Sequence, residues 1–125
     1  MAILGFNHYN LRAERDLLEQ LKTFYCDVVG LQIGHRPKLS SFGYWLYAGP
    51  KDVLHLSEAK AEEKRQANVL SSFDHVAFTA TDYKATLLRL EQLGVQFRTR
   101  EIADAGQKQI FFRDPAGNGI ELNFS

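Results

Sequence analysis

Cysteine is nearly missing from this chain: Cys26 is the only one in 125 residues. No internal disulfide can form, and a single free thiol suits a reducing cytoplasm better than a secreted scaffold. Cys26 lies among Phe24, Tyr25, Val28 and Val29, so it reads as a packed helix residue rather than a nucleophile. Net charge is missing as well. Lys plus Arg is 15 and Asp plus Glu is 15, which removes the long-range field that a nucleic-acid or anionic-membrane binder would need. No apolar run approaches the ~18 residues that cross a bilayer. The start, Met1-Ala-Ile-Leu-Gly-Phe6, lacks the basic n-region and long apolar h-region of a secretory signal. The expectation is a cytoplasmic protein with neither nucleic acid nor membrane as partner.

What is present is ordinary globular composition: 45% hydrophobic, 12% aromatic and 24% charged. One domain's worth of chain at roughly 100–200 residues per domain can bury about two-thirds of its unfolded surface. It needs neither disulfide nor metal merely to hold a core.

The chain reads the same pattern twice. Gly5–Ala13 reads as a strand. Leu17, Leu18, Leu21, Phe24, Tyr25 and Val28 follow at helical steps of three and four, with Gly30 placed to end the helix. Strand candidates then occupy Leu31–His35, Tyr44–Ala48 and Val53–Ser57, with a turn at Gly49-Pro50-Lys51-Asp52. From Phe73 the order recurs. A strand spans Phe73–Thr79, and Thr81 or Asp82 can cap a helix carrying Tyr83, Leu87, Leu90 and Leu93, closed by Gly94. Strand candidates follow at Gln96–Glu101, Lys108–Phe112 and Ile120–Phe124, the last preceded by the turn Asp114-Pro-Ala-Gly-Asn-Gly119. His8 precedes His75 by 67 residues, Gly30 precedes Gly94 by 64, Pro50 precedes Pro115 by 65, and His55 precedes Glu121 by 66. This predicts module one over 4–59, a charged linker over 60–72 and module two over 73–125.

On that repeat, His8 and His75 take matched places on the first strand of each module. His55 and Glu121 take matched places on the last. A pseudo-two-fold between the modules would bring all four together, and imidazole nitrogens with a carboxylate oxygen are the usual ligands of a catalytic divalent ion. Strand parity supports this, because Ile120 and Leu122 would face a helix-covered core and leave Glu121 on the opposite face. The remaining histidine, His35, has no repeat partner and reads as structural.

These same residues carry a family likeness. Asn7-His8, Phe24-Tyr-Cys-Asp-Val-Val-Gly-Leu31, Asp74-His-Val-Ala-Phe78 and Phe112-Arg-Asp-Pro-Ala-Gly-Asn-Gly-Ile-Glu-Leu122 together resemble the vicinal oxygen chelate superfamily. Its members include glyoxalase I, fosfomycin-resistance thiol transferases, extradiol dioxygenases, methylmalonyl-CoA epimerase and bleomycin-resistance proteins. The likeness implies an α+β fold of two tandem βαβββ modules, each curling a mixed sheet into a cup around a metal, in a homodimer that can share its sites. It implies His8, His75 and Glu121 as ligands of a divalent ion (Fe, Mn, Ni, Zn or Co). His55 stands where glyoxalase I has a glutamate that is both ligand and base, so His55 is expected as a fourth ligand or a general base. Arg12 matches an arginine that glyoxalase I uses for glutathione, but Ser57-Glu58-Ala59 lacks the asparagine that helps there.

Expected function is therefore a metal-dependent lyase, isomerase or ring-cleaving dioxygenase acting on a small oxygenated molecule, with His55 and Glu121 catalytic. Tyr9, Arg12, Trp45, Tyr47 and Gln109 are the candidate substrate contacts. The competing expectation is a metal-free, drug-sequestering binder of the bleomycin-resistance kind, a class that generally lacks the ligand set kept here.

Overall fold

The computed structural model describes every residue, Met1–Ser125. It resolves into two compact units, Met1–Arg65 and Gln66–Ser125. The architecture is α+β, two tandem βαβββ modules with one four-stranded sheet in each.

In the first unit, β1 (Tyr9–Ala13) leads into α1 (Arg15–Phe24), followed by β2 (Gln32–Gly34), β3 (Gly43–Ala48) and β4 (Lys51–Glu58). The sheet order is β1-β4-β3-β2. β1 runs parallel to β4, which it can do because α1 and the two hairpins intervene in sequence. The Glu14 carboxylate caps α1 by accepting the amide hydrogens of Asp16 and Leu17. The helix buries Leu18 and Leu21 and packs on β1 and β4. Leu46, Leu54 and Leu56 complete the core.

The second unit repeats this order with β5 (His75–Thr79), α2 (Tyr83–Gln92), β6 (Arg98–Ile102), β7 (Gln107–Arg113) and β8 (Gly119–Phe124). Its sheet order is β5-β8-β7-β6, again with the first and last strands parallel. Asp82 caps α2, accepting the Ala85 amide from a left-handed backbone at φ 64. Ile110, Phe112, Ile120, Leu122, Phe124 and Leu90 are buried, so the helix-covered face of this sheet is the apolar one.

Two expectations change at element ends. The first strand begins at Tyr9 rather than Gly5. Its partner β4 pairs with it only from Leu54 onward, and upstream of that β4 soon turns back through Gly49-Pro50. Residues 5–8 thus lie ahead of the strand, so His8 precedes β1 whereas His75 opens β5. The first helix also stops being α-helical at Phe24 and continues as a π-helical turn, Tyr25–Val29. Gly30, at φ 94, ends it by donating its amide to the Tyr25 carbonyl, the left-handed conformation that favours glycine. Cys26 sits half-buried in this turn, and burial, followed by Asp27, pushes its thiol pKa up. It is a packing residue, as expected.

The repeat extends to the register of individual residues. In the first sheet one cross-strand row runs Asn10, His55, Trp45, Gly34. In the second, the matched row runs Ala77, Glu121, Phe111, Arg98. His55 and Glu121 therefore occupy the same node of the same lattice. The first-module row ends in glycine for a local reason: a Cβ at Gly34 would press into the Tyr47 ring at 2.5 Å. Gly119 is required for a similar reason, since a Cβ there would collide with the Asp74 carbonyl. That close approach joins β5 to β8 beside His75. No helix is long and apolar enough to cross a membrane.

Candidate functional site

Each module gathers two of the four candidate ligands on the sheet face away from its helix. In the second module, His75 opens β5 and Glu121 lies mid-β8. His75 Nε2 stands 3.2 Å from Glu121 Oε1. The other ring nitrogen, Nδ1, is 2.8 Å from the Asp74 carboxylate, so each ring nitrogen faces a carboxylate oxygen. Glu121 is 6% exposed. Its Oε2 accepts the Gln109 amide at 3.0 Å and the Asn123 amide at 3.4 Å, so Oε1 is the oxygen turned toward His75. An imidazole nitrogen and a carboxylate oxygen thus face each other at close range, with polar partners behind each. A proton or a metal ion between them would satisfy both. The donor chemistry fits a divalent ion, and a carboxylate behind the imidazole is the usual orienting group of a ligating histidine.

In the first module His55 is 9% exposed and is clasped between two rings. Trp45 stacks on it at 3.9 Å with planes 5° apart, and His8 stacks at 3.7 Å with planes 20° apart. His55 Nε2 lies 2.7 Å from the Asp52 carboxylate, and His8 Nδ1 lies 2.7 Å from Asn7 Oδ1. One nitrogen of each ring is thereby engaged, leaving His55 Nδ1 and His8 Nε2. Partial burial lowers the His8 pKa, with the neighbouring His55 next in weight, Asp52 opposing it and Lys51 adding to it. The hydrogen bond from His55 holds the Asp52 carboxyl below its ordinary value. No three or more His, Cys, Asp or Glu side chains of the chain are gathered in a geometry that could hold a metal. Each module supplies a pair.

The candidate substrate contacts fall as follows. Trp45 forms the platform under His55. Tyr47, half-buried, donates its hydroxyl to the His35 backbone carbonyl at 2.6 Å. Tyr9 begins β1, half-buried, next to His8. Gln109 is buried and committed at both ends of its amide, accepting from Arg100 Nε at 2.8 Å while donating to Glu121. Arg12 lies across from Ser57 on the His55 face. Its guanidinium donates to both Glu63 oxygens, at 2.6–3.0 Å, and to Ser57 Oγ at 3.2 Å. Phe42 lies under the Arg15 guanidinium.

The Arg12–Glu63 pair carries a pH signature. Arg12, then the Lys60 amide, hold the Glu63 carboxyl far below its ordinary range. A depressed folded-state value stabilises the fold fully above the unfolded value, ~4.3, and this contribution is lost as pH falls toward the folded value. The melting-temperature gap between wild type and Glu63→Gln should therefore be present at pH 7 and close progressively below about pH 4. A gap independent of pH would show that the pair adds nothing as an ion pair.

Asp52, Asp74, Asn7 and Asn123 did not stand out in the sequence as functional residues. Asn7-His8 and Asp74-His75 are matched dipeptides of the repeat, and that match was the available signal. Asp52 carried none. It reaches His55 through a register shift of β3 against β4 between Leu46 and Tyr47, and bulges of this kind re-aim side chains near functional sites.

Comparison with known proteins agrees with this fold. The Glyoxalase/Bleomycin resistance protein/Dioxygenase superfamily profile matches residues 5–122. A glyoxalase family protein from Bacillus anthracis superposes with TM-score 0.76 at 20% identity, covering 100% of this chain and 98% of that one. A lactoylglutathione lyase from Agrobacterium tumefaciens gives 0.70 at 23%, covering 100% and 96%. The fosfomycin resistance protein FosX from Mesorhizobium loti gives 0.68 at 20%, covering 99% and 94%. No curated protein sequence matches the chain. With its doubled βαβββ fold, the chain belongs to the Glyoxalase/Bleomycin resistance protein/Dioxygenase superfamily.

Proposed function

We propose that this chain is a metal-dependent enzyme of the glyoxalase and dioxygenase type, working on a small substrate with two vicinal oxygens. The observation that carries the reading is the facing of His75 Nε2 and Glu121 Oε1 at 3.2 Å, each fixed from behind by Asp74 or by Gln109 and Asn123. His8 and His55, at the matched positions of the first module, are the remaining candidate ligands, and a homodimer would allow sites shared between copies. A bound divalent ion would supply Lewis-acid stabilisation of an oxyanion on the substrate.

The protein's own groups do the rest. Asp52 holds His55 by Nε2, which leaves Nδ1 as ligand or as the atom that takes a proton from substrate. Trp45 and His8 fix the plane of that ring. Tyr9, Tyr47 and Arg12 line the same module and would border the substrate. The lactoylglutathione lyase and FosX likenesses support lyase, isomerase or related chemistry within this class. Exposed Ile3, Leu4 and Phe6 in one module, and Val69, Leu70 and Phe73 in the other, are apolar surface of the kind that pairing with a second copy covers.

The test is elemental analysis of the purified full chain after separate reloading with Fe, Mn, Ni, Zn and Co. About one ion per chain is expected. Iron retention would favour dioxygenase chemistry, and nickel, zinc or cobalt would favour isomerase or lyase chemistry. Absence of stoichiometric metal under all five conditions would overturn the proposal and leave metal-free ligand sequestration.

A further inference from the structure

The second module carries two arginines that its metal-ligand pair does not use. Arg98 and Arg100 alternate along β6 and so share a face. Register places Arg98 across from Phe111, which lies across from Glu121, and Arg100 across from Gln109, which lies across from Asn123. Both arginines therefore stand on the face that bears Glu121, two strands away. At about 4.8 Å per strand this is roughly 10 Å.

Both guanidiniums are held by a single ring. The Arg98 guanidinium carbon lies 4.3 Å from the Phe111 centroid and that of Arg100 lies 5.2 Å from it. Stacking on an aromatic face orients a guanidinium while leaving its edge donors available. Arg100 spends only Nε, on the Gln109 carbonyl oxygen. Arg98 makes no ion pair, although its charge helps lower the Asp74 pKa. Glu101, the acid next to Arg100 in sequence, points to the other face and pairs with Lys108 at 3.8 Å. Both side chains are exposed. The first module has no matching pair, because the position equivalent to Arg98 is Gly34, where the Tyr47 ring leaves no room for a side chain.

Two cations with spare, fork-shaped donors, both on the same face as the buried Glu121 carboxylate and the exposed His75 imidazole beside it, form a recognition element for an oxyanion. We infer that Arg98 and Arg100, seated on Phe111, bind a terminal carboxylate or phosphate-type group of the substrate. This reading rests on the proposed metal site and names its substrate class: a molecule with chelating oxygens at one end and an anionic group at the other, separated by a few bonds. Phe111 also faces His75 edge-on at 6.1 Å, so the same ring borders both ends.

The experiment titrates the full chain with inorganic phosphate and, separately, with succinate. Calorimetry and the arginine side-chain NH signals in NMR report binding, on metal-free and zinc-loaded protein. Expected is saturable binding of one or both probes that shifts the Arg98 and Arg100 signals. It should weaken at least about tenfold in Arg98→Ala and in Arg100→Ala, the effect of losing a charge-assisted contact, and stay unchanged in Lys84→Ala. Preference for phosphate or for succinate identifies the source of the anion. No saturable binding, or equal binding in all variants, overturns the inference. Failure of the metal proposal is read separately: Arg98→Ala keeps its zinc if that site is real, and wild type holds no zinc if it is not. Anion binding to metal-free wild type that depends on both arginines supports the inference in either case.

Discussion

Glu121→Gln should cost the protein its divalent metal. The change keeps the side chain's volume and can still accept from Gln109 and Asn123, so the fold should survive, but the charge that faces His75 is gone. Affinity for the ion that wild type retains best should fall at least about 100-fold, the upper range seen even for second-shell losses. His75→Ala should do the same. Competition with a chromophoric chelator, alongside elemental analysis, measures this, and far-ultraviolet circular dichroism confirms the fold. Gln109→Leu should cost about 10–100-fold, because it strips the hydrogen bond that turns Oε1 toward His75. Glu121→Gln and His75→Ala variants with wild-type metal affinity would remove both residues from the ligand set. They are more informative than Glu121→Ala, which would also strand a buried Gln109 amide at a cost of about 1–3 kcal/mol.

The second large effect concerns the core of the first module. Leu54 is fully buried (0% exposed) and lies across from Leu46, itself fully buried. Leu54→Ala should destabilise by about 2–5 kcal/mol, the loss of transfer free energy plus the cavity left behind. At roughly 2–8 °C per kcal/mol for domains near this size, the fall in melting temperature is large. Leu88→Ala, at a position 60% exposed on α2, should stay within about 0.5 kcal/mol of wild type. Urea denaturation of both variants checks the contrast. A Leu54→Ala variant as stable as Leu88→Ala would mean that the helix-covered face of β4 is not the packed core. His55 depends on that core, because it points to the opposite side of the same strand, with Leu54 and Leu56 as its neighbours.

The doubled strand–helix–strand order, and the faces on which Glu121 and His55 lie, were legible in the sequence because both follow from local rules. Alternate residues of a strand face opposite ways, and the constant offset between the two halves fixes which residues are equivalent. Ile120 and Leu122 are buried as parity required, and the register makes His55 and Glu121 true equivalents. Asp82 and Gly30 also fall at helix ends, as their chemistry predicted.

What the sequence did not contain is any contact set by register across strands. The hold of Asp52 on His55 depends on the shift between β3 and β4. The chain from Arg100 through Gln109 to Glu121 joins three strands, and the pairing of Arg12 with Glu63 spans fifty-one residues. In sequence Arg98 and Arg100 are simply two charges within the strand candidate Gln96–Glu101. Only the packing of both on Phe111 shows two directed cations instead. The sequence by itself determined the repeat, the candidate ligands and the superfamily. The tertiary structure decided how Glu121 and His55 are held, because Gln109 reaches Glu121 across a strand and Asp52 meets His55 where the register of β3 on β4 shifts, contacts of about 3 Å that exist only when the strands pair.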